Sequence, residues 1–318
     1  MRKIAHPLVA GIILAAVFVS SCSKKNTNTA IYGSYSSIDN IYASLSLFPK
    51  TVTINAARDT SFYGNSGTRY IFSANTLQTA GGVSVTGLVQ VTVAEYLQKG
   101  DMIFSKMLPV TSTTQLLSGG EINVSATQSG QPLYLKPLAT FQANVPQGTV
   151  PMGGMSLFFG TAPTDTSTNK VIWGQATIDS GSSGIGVVIG AGDTLSIFSD
   201  SLRECNADQF LTSPVFQNFN VTVNVNNELV SSSAQIHGYV LFDGYKAIWP
   251  LGEIGSYKNG VFNELHTPNI AVHFVIFTLI NGNFYGGTLA ASPITGGNYT
   301  VNLTAIDPNI FKEEINSL

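Results

Sequence analysis

Apolar residues recur at every second position through most of this chain. In residues 83–97, VSVTGLVQVTVAEYL, the side chains of Val89, Val91 and Val93 alternate with polar ones. This period of two is typical of a strand with one buried face, and β-branched residues suit a pleated sheet. The pattern predicts an all-β fold, with a bulge or bend where Gly87 interrupts the run.

The same pattern predicts strands in many other segments: 51–55, 68–73, 121–126, 133–135, MSLFFG, KVIWGQATI, GIGVVIG, TLSIFS, FNVTVNV, AQIHGYVLF, VHFVIFTLI, FYGGTLA and NYTVNLT. Asn281-Gly282-Asn283, between two of these runs, predicts a hairpin turn. Helix signals are few. Asp307 before Pro308 predicts a short C-terminal helix, and residues 93–99 are a candidate for a short exposed one.

Pro and Gly concentrate in residues 145–151, which makes this segment the best candidate for a domain boundary. The chain is therefore expected to form two or three consecutive β-sandwich domains. We expect a first sandwich over 42–145, a middle β domain over 146–214 and an immunoglobulin-like or transthyretin-like β domain over 215–318.

The N-terminal residues have the pattern of an export signal. Arg2 and Lys3 precede the 13-residue apolar run PLVAGIILAAVFV, which is shorter than the roughly 20 residues of a spanning helix. Residues 19–22, VSSC, resemble the lipobox of bacterial lipoproteins, which implies acylation of Cys22. We expect a signal peptide over 1–21, a flexible tether over 22–41 and an outer-membrane lipid anchor. The side that the protein faces stays open, and an ordinary secreted protein is the alternative.

Charge excludes one class of partner. Without residues 1–21 the chain carries 13 basic and 18 acidic residues, a net charge of −5, whereas nucleic-acid binding needs a basic stripe. If Cys22 carries lipid, Cys205 has no partner for a disulfide, and a buried free thiol is the favoured interpretation.

Motifs for chemistry are sparse. No G-x-G-x-x-G, G-x-S-x-G or H-E-x-x-H motif occurs, so no cofactor is predicted. His237, His266 and His273 are interpreted as strand histidines and not as metal ligands. The carboxylates Glu95, Asp101 and Glu121 are candidates for a hydrolase pair, although solvated turn charges are favoured.

Two further sets are candidate sites. Thr194 and Ser201 follow aspartates in Asp-Ser/Thr-apolar triplets that resemble O-glycosylation sequons of exported Bacteroidetes proteins. Aromatic residues near the last strands are candidates for a ligand face, although a place in the core is favoured: Tyr239, Tyr245, Trp249, Tyr257 and Phe262.

Residues 51–77 and 85–135, together with two elements further along the chain, resemble parts of uncharacterised Bacteroidetes lipoproteins and outer-membrane-associated proteins. The points of similarity are Gly67-Thr68, Val85-Thr86-Gly87, Glu95, Asp101-Met102, Ser118-Gly119-Gly120, Gly130, Trp173 and the segment CNADQF from Cys205. The resemblance implies a β-sandwich fold and an envelope location, and it carries no catalytic residue across.

Three functions therefore remain open. The leading hypothesis is a lipid-anchored structural or binding protein of the envelope, with a glycan, a peptide or an envelope protein as its partner, as in an accessory or adhesin module. A hydrolase that uses Glu95, Asp101 or Glu121 is the second. An accessory lipoprotein docked to an outer-membrane machine is the third.

Overall fold

The computed structural model describes residues 34–148, 152–164, 166, 169–177, 184–211, 216–225, 228–229, 236–251, 261–268, 270–291 and 297–318. The predicted all-β fold with a short C-terminal helix is confirmed. In these ranges the helices are α1 (Ile38–Leu45), α2 (Lys99–Ser105) and α3 (Pro308–Ser317). No helix within the described ranges has the length and apolar character needed to span a membrane.

The strands follow in chain order. Those before residue 148 are β1 (Lys50–Asn55), β2 (Thr60–Tyr63), β3 (Arg69–Phe72), β4 (Leu77–Gln78), β5 (Leu88–Tyr96), β6 (Leu116–Gln128), β7 (Gln131–Pro132), β8 (Tyr134–Leu135) and β9 (Phe141–Pro146). The next are β10 (Ser156–Thr161), β11 (Ile172–Gln175), β12 (Gly186–Ile189), β13 (Thr194–Ser199) and β14 (Glu204–Phe210). The last are β15 (Phe216–Val225), β16 (Glu228–Leu229), β17 (Ile236–Phe242), β18 (Ile248–Pro250), β19 (Val261–Pro268), β20 (Val272–Ile280), β21 (Asn283–Ala291) and β22 (Gly297–Ala305).

Two sheets form a sandwich. The first has the strand order β1-β5-β6-β14-β10-β11, with β7 paired to β6, and the second has the order β12-β13-β9-β3-β2. Their facing sides share one apolar core, to which Val91 and Ile122 contribute from the first sheet and Phe72 and Phe141 from the second. Phe72 and Phe141 stack with ring centroids 5.6 Å apart. Alternation along each strand thus supplies the buried face that the sequence predicts.

Residue 146 does not divide the sandwich. In the first sheet β6 pairs with β14, and in the second β9 pairs with β13. Both sheets therefore contain strands from the segment predicted as a first domain (42–145) and from the segment predicted as a middle domain (146–214). Local turn signals at residues 145–151 indicate a change of direction, and they carry no information on which strands pair afterwards.

The third sheet has the order β16-β15-β22-β21-β20-β17-β18, with β19 also paired to β15. Phe219 on β15 contacts Phe274 on β20, with ring centroids 5.1 Å apart, although β22 and β21 lie between them in the sheet. The sheet therefore curls over one of its own faces. The predicted hairpin is confirmed: Asn281 and Gly282 have φ of 51° and 78°, and they join β20 to β21.

Helices from three distant parts of the chain cover the other face of this sheet. Tyr42 of α1, Phe104 of α2 and Phe311 of α3 all lie against Phe277 of β20, with ring centroids 5.3–6.1 Å apart. In α3 the N-cap is Asp307 and Pro308 follows it, as predicted.

Two expectations about helices are wrong. Residues 38–41, placed in a flexible tether over 22–41, belong to α1, where Ile38, Ile41, Tyr42 and Leu45 form a buried stripe. The exposed helix expected at 93–99 is absent, because β5 continues to Tyr96 and the helix that follows, α2, is buried. A helix this short is stabilised by packing, which sequence periodicity records poorly.

Candidate functional site

Glu95 holds a loop. Its carboxylate accepts hydrogen bonds from the backbone N–H groups of Ser66 (2.6 Å) and Thr68 (2.9 Å), between β2 and β3. A Cβ atom at Gly64 would lie 2.2 Å from Glu95 Oε2, so only glycine leaves room for this contact. Both carboxylate oxygens are therefore engaged in structural hydrogen bonds.

Asp101 joins two helices. Its Oδ1 lies 2.8 Å from Nζ of Lys312 on α3, and the same ammonium donates to the carbonyl of Leu45 on α1 at 2.8 Å. Burial raises the pKa of Asp101, while Lys312 opposes the shift. The pair ties together the helices that cover the third sheet.

Glu121 lies fully buried on β6 and faces away from the sandwich core. Its neighbours across the sheet are Tyr96 on β5 and Asn206 on β14. Among the described residues, neither Glu121 oxygen has a hydrogen-bond partner, and Oδ1 of Asp208 has none either. Burial raises the pKa of Glu121 well above its usual value, and the nearby carboxyl of Asp208 raises it further. Burial also raises the pKa of Asp208.

A bulge brings Ser118, Glu121, Asn206 and Asp208 together, and we call these four residues the buried acidic cluster. Ser118 pairs with Asp208 and Glu121 pairs with Asn206, so β6 has one more residue than β14 between the two pairs. Gly120, with φ of 131°, supplies that residue. The Ser118 hydroxyl donates to Asn206 Oδ1 (2.9 Å), and Asn206 Nδ2 donates to Asp208 Oδ2 (2.7 Å).

The three carboxylates of the hydrolase hypothesis therefore have separate partners. Glu95 binds loop amides, Asp101 binds Lys312, and Glu121 neighbours Asp208 in the protein interior. Within the described ranges, no group of three or more His, Cys, Asp and Glu residues is placed to hold a metal ion.

Three of the five aromatic residues considered for a ligand face lie in the core. Tyr239, Trp249 and Phe262 are buried in the core of the third sheet, and the hydroxyl of Tyr239 lies 2.9 Å from that of Tyr42. Tyr245 is half-buried, and Tyr257 lies outside the described residues. The interpretation favoured from the sequence, that these rings fill the core, holds for those three residues.

The remaining candidates are dispersed. Thr194 begins β13 and donates to the carbonyl of Ala191, and Ser201 lies half-buried in the turn before β14. Cys22 lies outside the described residues. Cys205 is a buried free thiol, as predicted.

The strand histidines also have structural partners. Nδ1 of His237 lies 3.0 Å from the hydroxyl of Tyr42, and Nδ1 of His273 lies 2.7 Å from Asp243 Oδ1. The side chain of His266 lies outside the described part of the structure.

A cleft of about 300 Å³ opens where the sandwich meets the third sheet and the helices. It is lined by Leu97, Gln98, Lys99, Ser118, Gln147, Met152, Met155, Gly244, Tyr245, Lys246, Asn316 and Leu318. Two of these lining residues are joined by a hydrogen bond from Ser118 N to the carbonyl of Lys246 (2.9 Å). Ser118 also belongs to the buried acidic cluster, through its hydrogen bond to Asn206.

Two lysines face this cleft. Lys99 Nζ donates to the carbonyls of Phe242 (2.9 Å) and Leu318 (3.2 Å), and burial lowers its pKa to about 8, which the charge of Asp243 partly offsets. Burial also lowers the pKa of Lys246. The cleft thus combines positive charge, amide groups and an apolar wall.

Local sequence patterns do not predict this cleft, because its lining residues come from segments more than 200 positions apart. Only the family resemblance points to Ser118-Gly119-Gly120 and to Asp208, and no sequence motif points to Lys246. No protein-family model matches the chain, and no curated protein matches it.

Proposed function

We propose that the protein is a lipid-anchored envelope protein of the outer membrane, with a structural or binding role and with Cys22 as its lipidated residue. The proposal rests on the charged start, apolar run and VSSC tetrapeptide of the N-terminus. A lipid anchor of two or more acyl chains would hold the protein stably at a membrane surface.

The N-terminal pattern carries the proposal, and the point at which the chain joins the folded body sets how far an anchor can reach. Tyr35 N donates to the carbonyl of Gly282 (3.0 Å), in the turn between β20 and β21. Cys22 precedes Ser34 by twelve residues, which span about 40 Å when fully extended. An anchor at Cys22 would therefore keep the β20–β21 turn within about 40 Å of the membrane.

A binding role is favoured over catalysis because Glu95 and Asp101 have structural partners and Glu121 is fully buried. The cleft between the sandwich and the third sheet offers a site for a ligand, and the outer strands offer surfaces for a glycan or an envelope protein. The proposal assigns no catalytic residue.

The test is membrane fractionation of cells that produce the wild type, Cys22→Ser or Cys205→Ala. Cys205→Ala is the matched control, because it removes the other thiol and leaves the N-terminus unchanged. We expect the wild type and Cys205→Ala in the outer-membrane fraction and Cys22→Ser in the soluble fraction. Sedimentation of Cys22→Ser with the membrane would refute the lipid anchor.

A further inference from the structure

The ammonium group of Lys246 has no partner in the described structure. No hydrogen bond or ion pair of its Nζ is found among the described residues, although the side chain is partly buried in the cleft wall. Other lysines of these helices and loops are satisfied: Lys312 pairs with Asp101, and Lys106 pairs with Asp39 at 3.4 Å. A partly desolvated cation without a counter-charge is unfavourable, and an anion in the cleft would relieve it.

We infer that the cleft binds a small organic carboxylate, with Lys246 as its counter-ion. The inference deepens the proposed binding role and is independent of the lipid anchor. It names the chemical class of the ligand and the residue that recognises its charge.

The charges around the cleft favour an anion at Lys246 over one at Lys99. Lys99 Nζ already donates to two carbonyls, and Asp243 lies near enough to influence its pKa. Asp243 in turn contacts His273. Burial lowers the pKa of Lys246, and none of the ion pairs between described residues involves this lysine. A ligand carboxylate would therefore meet an uncompensated positive charge at Lys246.

The walls of the cleft indicate that the ligand also has an apolar part. Leu97, Met152 and Met155 line one portion of the cleft, and methionine adapts readily to the shape of a bound group. A volume of about 300 Å³ lies at the lower end of the range for small-molecule sites. A short-chain carboxylate therefore fits better than a bare inorganic anion or a long chain.

Methionine methyl NMR on the full-length protein tests the inference, since the sequence contains only five methionines. Butanoate is the probe, 1-butanol is its uncharged match, and inorganic phosphate is an anion without an apolar part. We expect butanoate to shift the Met152 and Met155 signals in a saturable way, while the buried Met102 and Met107 signals stay unchanged. 1-Butanol and phosphate should bind more weakly.

Variants test whether Lys246 is the residue that binds the carboxylate of butanoate. Lys246→Gln should weaken butanoate binding by roughly tenfold or more, as expected when a charge-assisted hydrogen bond is lost, and Lys246→Arg should retain most of it. The exposed Lys170 provides the control, since Lys170→Gln removes a lysine charge away from the cleft. Thermal melting of each variant shows whether the fold is intact.

Three results would overturn the inference: no saturable shift with butanoate, equal butanoate affinity of folded Lys246→Gln and wild type, or phosphate binding as tight as butanoate binding. These outcomes leave the lipid anchor untouched, because the Cys22→Ser fractionation reports on that separately.

Discussion

Replacing Glu121 with glutamine should stabilise the protein at neutral pH. The Glu121 carboxyl is fully buried. Both of its oxygens, and one oxygen of the neighbouring Asp208, lack a hydrogen-bond partner within the described part of the chain. A charged carboxylate in such a position is strongly disfavoured. Glutamine has nearly the same shape, carries no charge and offers an N–H donor to the free Asp208 oxygen.

The magnitude follows from the pKa shift. Burial and Asp208 raise the pKa of folded Glu121 well above the unfolded value of 4.5. Below pH 4.5 the Glu121 carboxyl is protonated in both the folded and the unfolded state, so its ionisation does not lower the free energy of unfolding. Above it only the unfolded state ionises, so the wild type loses about 1.4 kcal/mol of stability per pH unit until the folded pKa is reached. Glutamine does not titrate, so the advantage of Glu121→Gln grows with pH by up to this amount.

Thermal or urea unfolding of wild type and Glu121→Gln at pH 5 and pH 7 measures the effect. Between these values the free-energy difference should grow by up to about 2.7 kcal/mol, which corresponds to roughly 4 °C in Tm for a chain of this size. Asp208 is coupled to Glu121, so the difference reports on the Glu121–Asp208 pair. Glu313→Gln, which removes a carboxylate at an exposed position of α3, is the control.

The opposite pH trend would refute this reasoning. If the wild type were the more stable protein at pH 7 and its advantage shrank at pH 5, Glu121 would be an ionised group with a favourable partner. The buried acidic cluster would then hold a cation, and titration with metal ions would identify it.

Other contacts give sharper local predictions. Glu95→Gln should cost about 2 kcal/mol in urea unfolding, because it weakens hydrogen bonds to a charged acceptor, and should speed amide exchange at Ser66 and Thr68; unchanged exchange would show that Glu95 does not hold the loop. Phe311→Ala should cost about 3–5 kcal/mol, because the buried ring fills the space between α3 and the third sheet, and a loss below 1 kcal/mol would contradict that packing. In NMR of labelled lysine, Lys99 should titrate at a pH of about 8, and a midpoint above 10 would mean that it is solvated.

Much of the strand content could be predicted because its signal is local. A period of two identifies segments such as β5 and β20, and the Asn281-Gly282 pair identifies the hairpin, since each depends only on neighbouring residues. The N-cap residue Asp307 and the following Pro308 likewise predict the C-terminal helix. Pairing between strands is not local, which is why the sandwich crosses the boundary predicted at residue 146.

The candidate site could not be predicted from the sequence, because it too depends on pairing between distant segments. Glu121 looks like an ordinary strand carboxylate, and only the Gly120 bulge and the pairing of β6 with β14 place it beside Asp208. Lys246 becomes distinctive only when the sandwich, α2 and α3 close around it. The aromatic residues of the last segment could be read as core or surface, and burial of Tyr239 and Trp249 decided between the two.

The proposed membrane location depends on a lipid at Cys22, which mass spectrometry of the N-terminal tryptic peptide of the mature protein would detect. Trypsin cuts after Lys24, so a processed lipoprotein should yield residues 22–24 with a diacylglyceryl group on the Cys22 sulfur. A mature chain that begins at another residue, or an unmodified Cys22 thiol, would contradict the account.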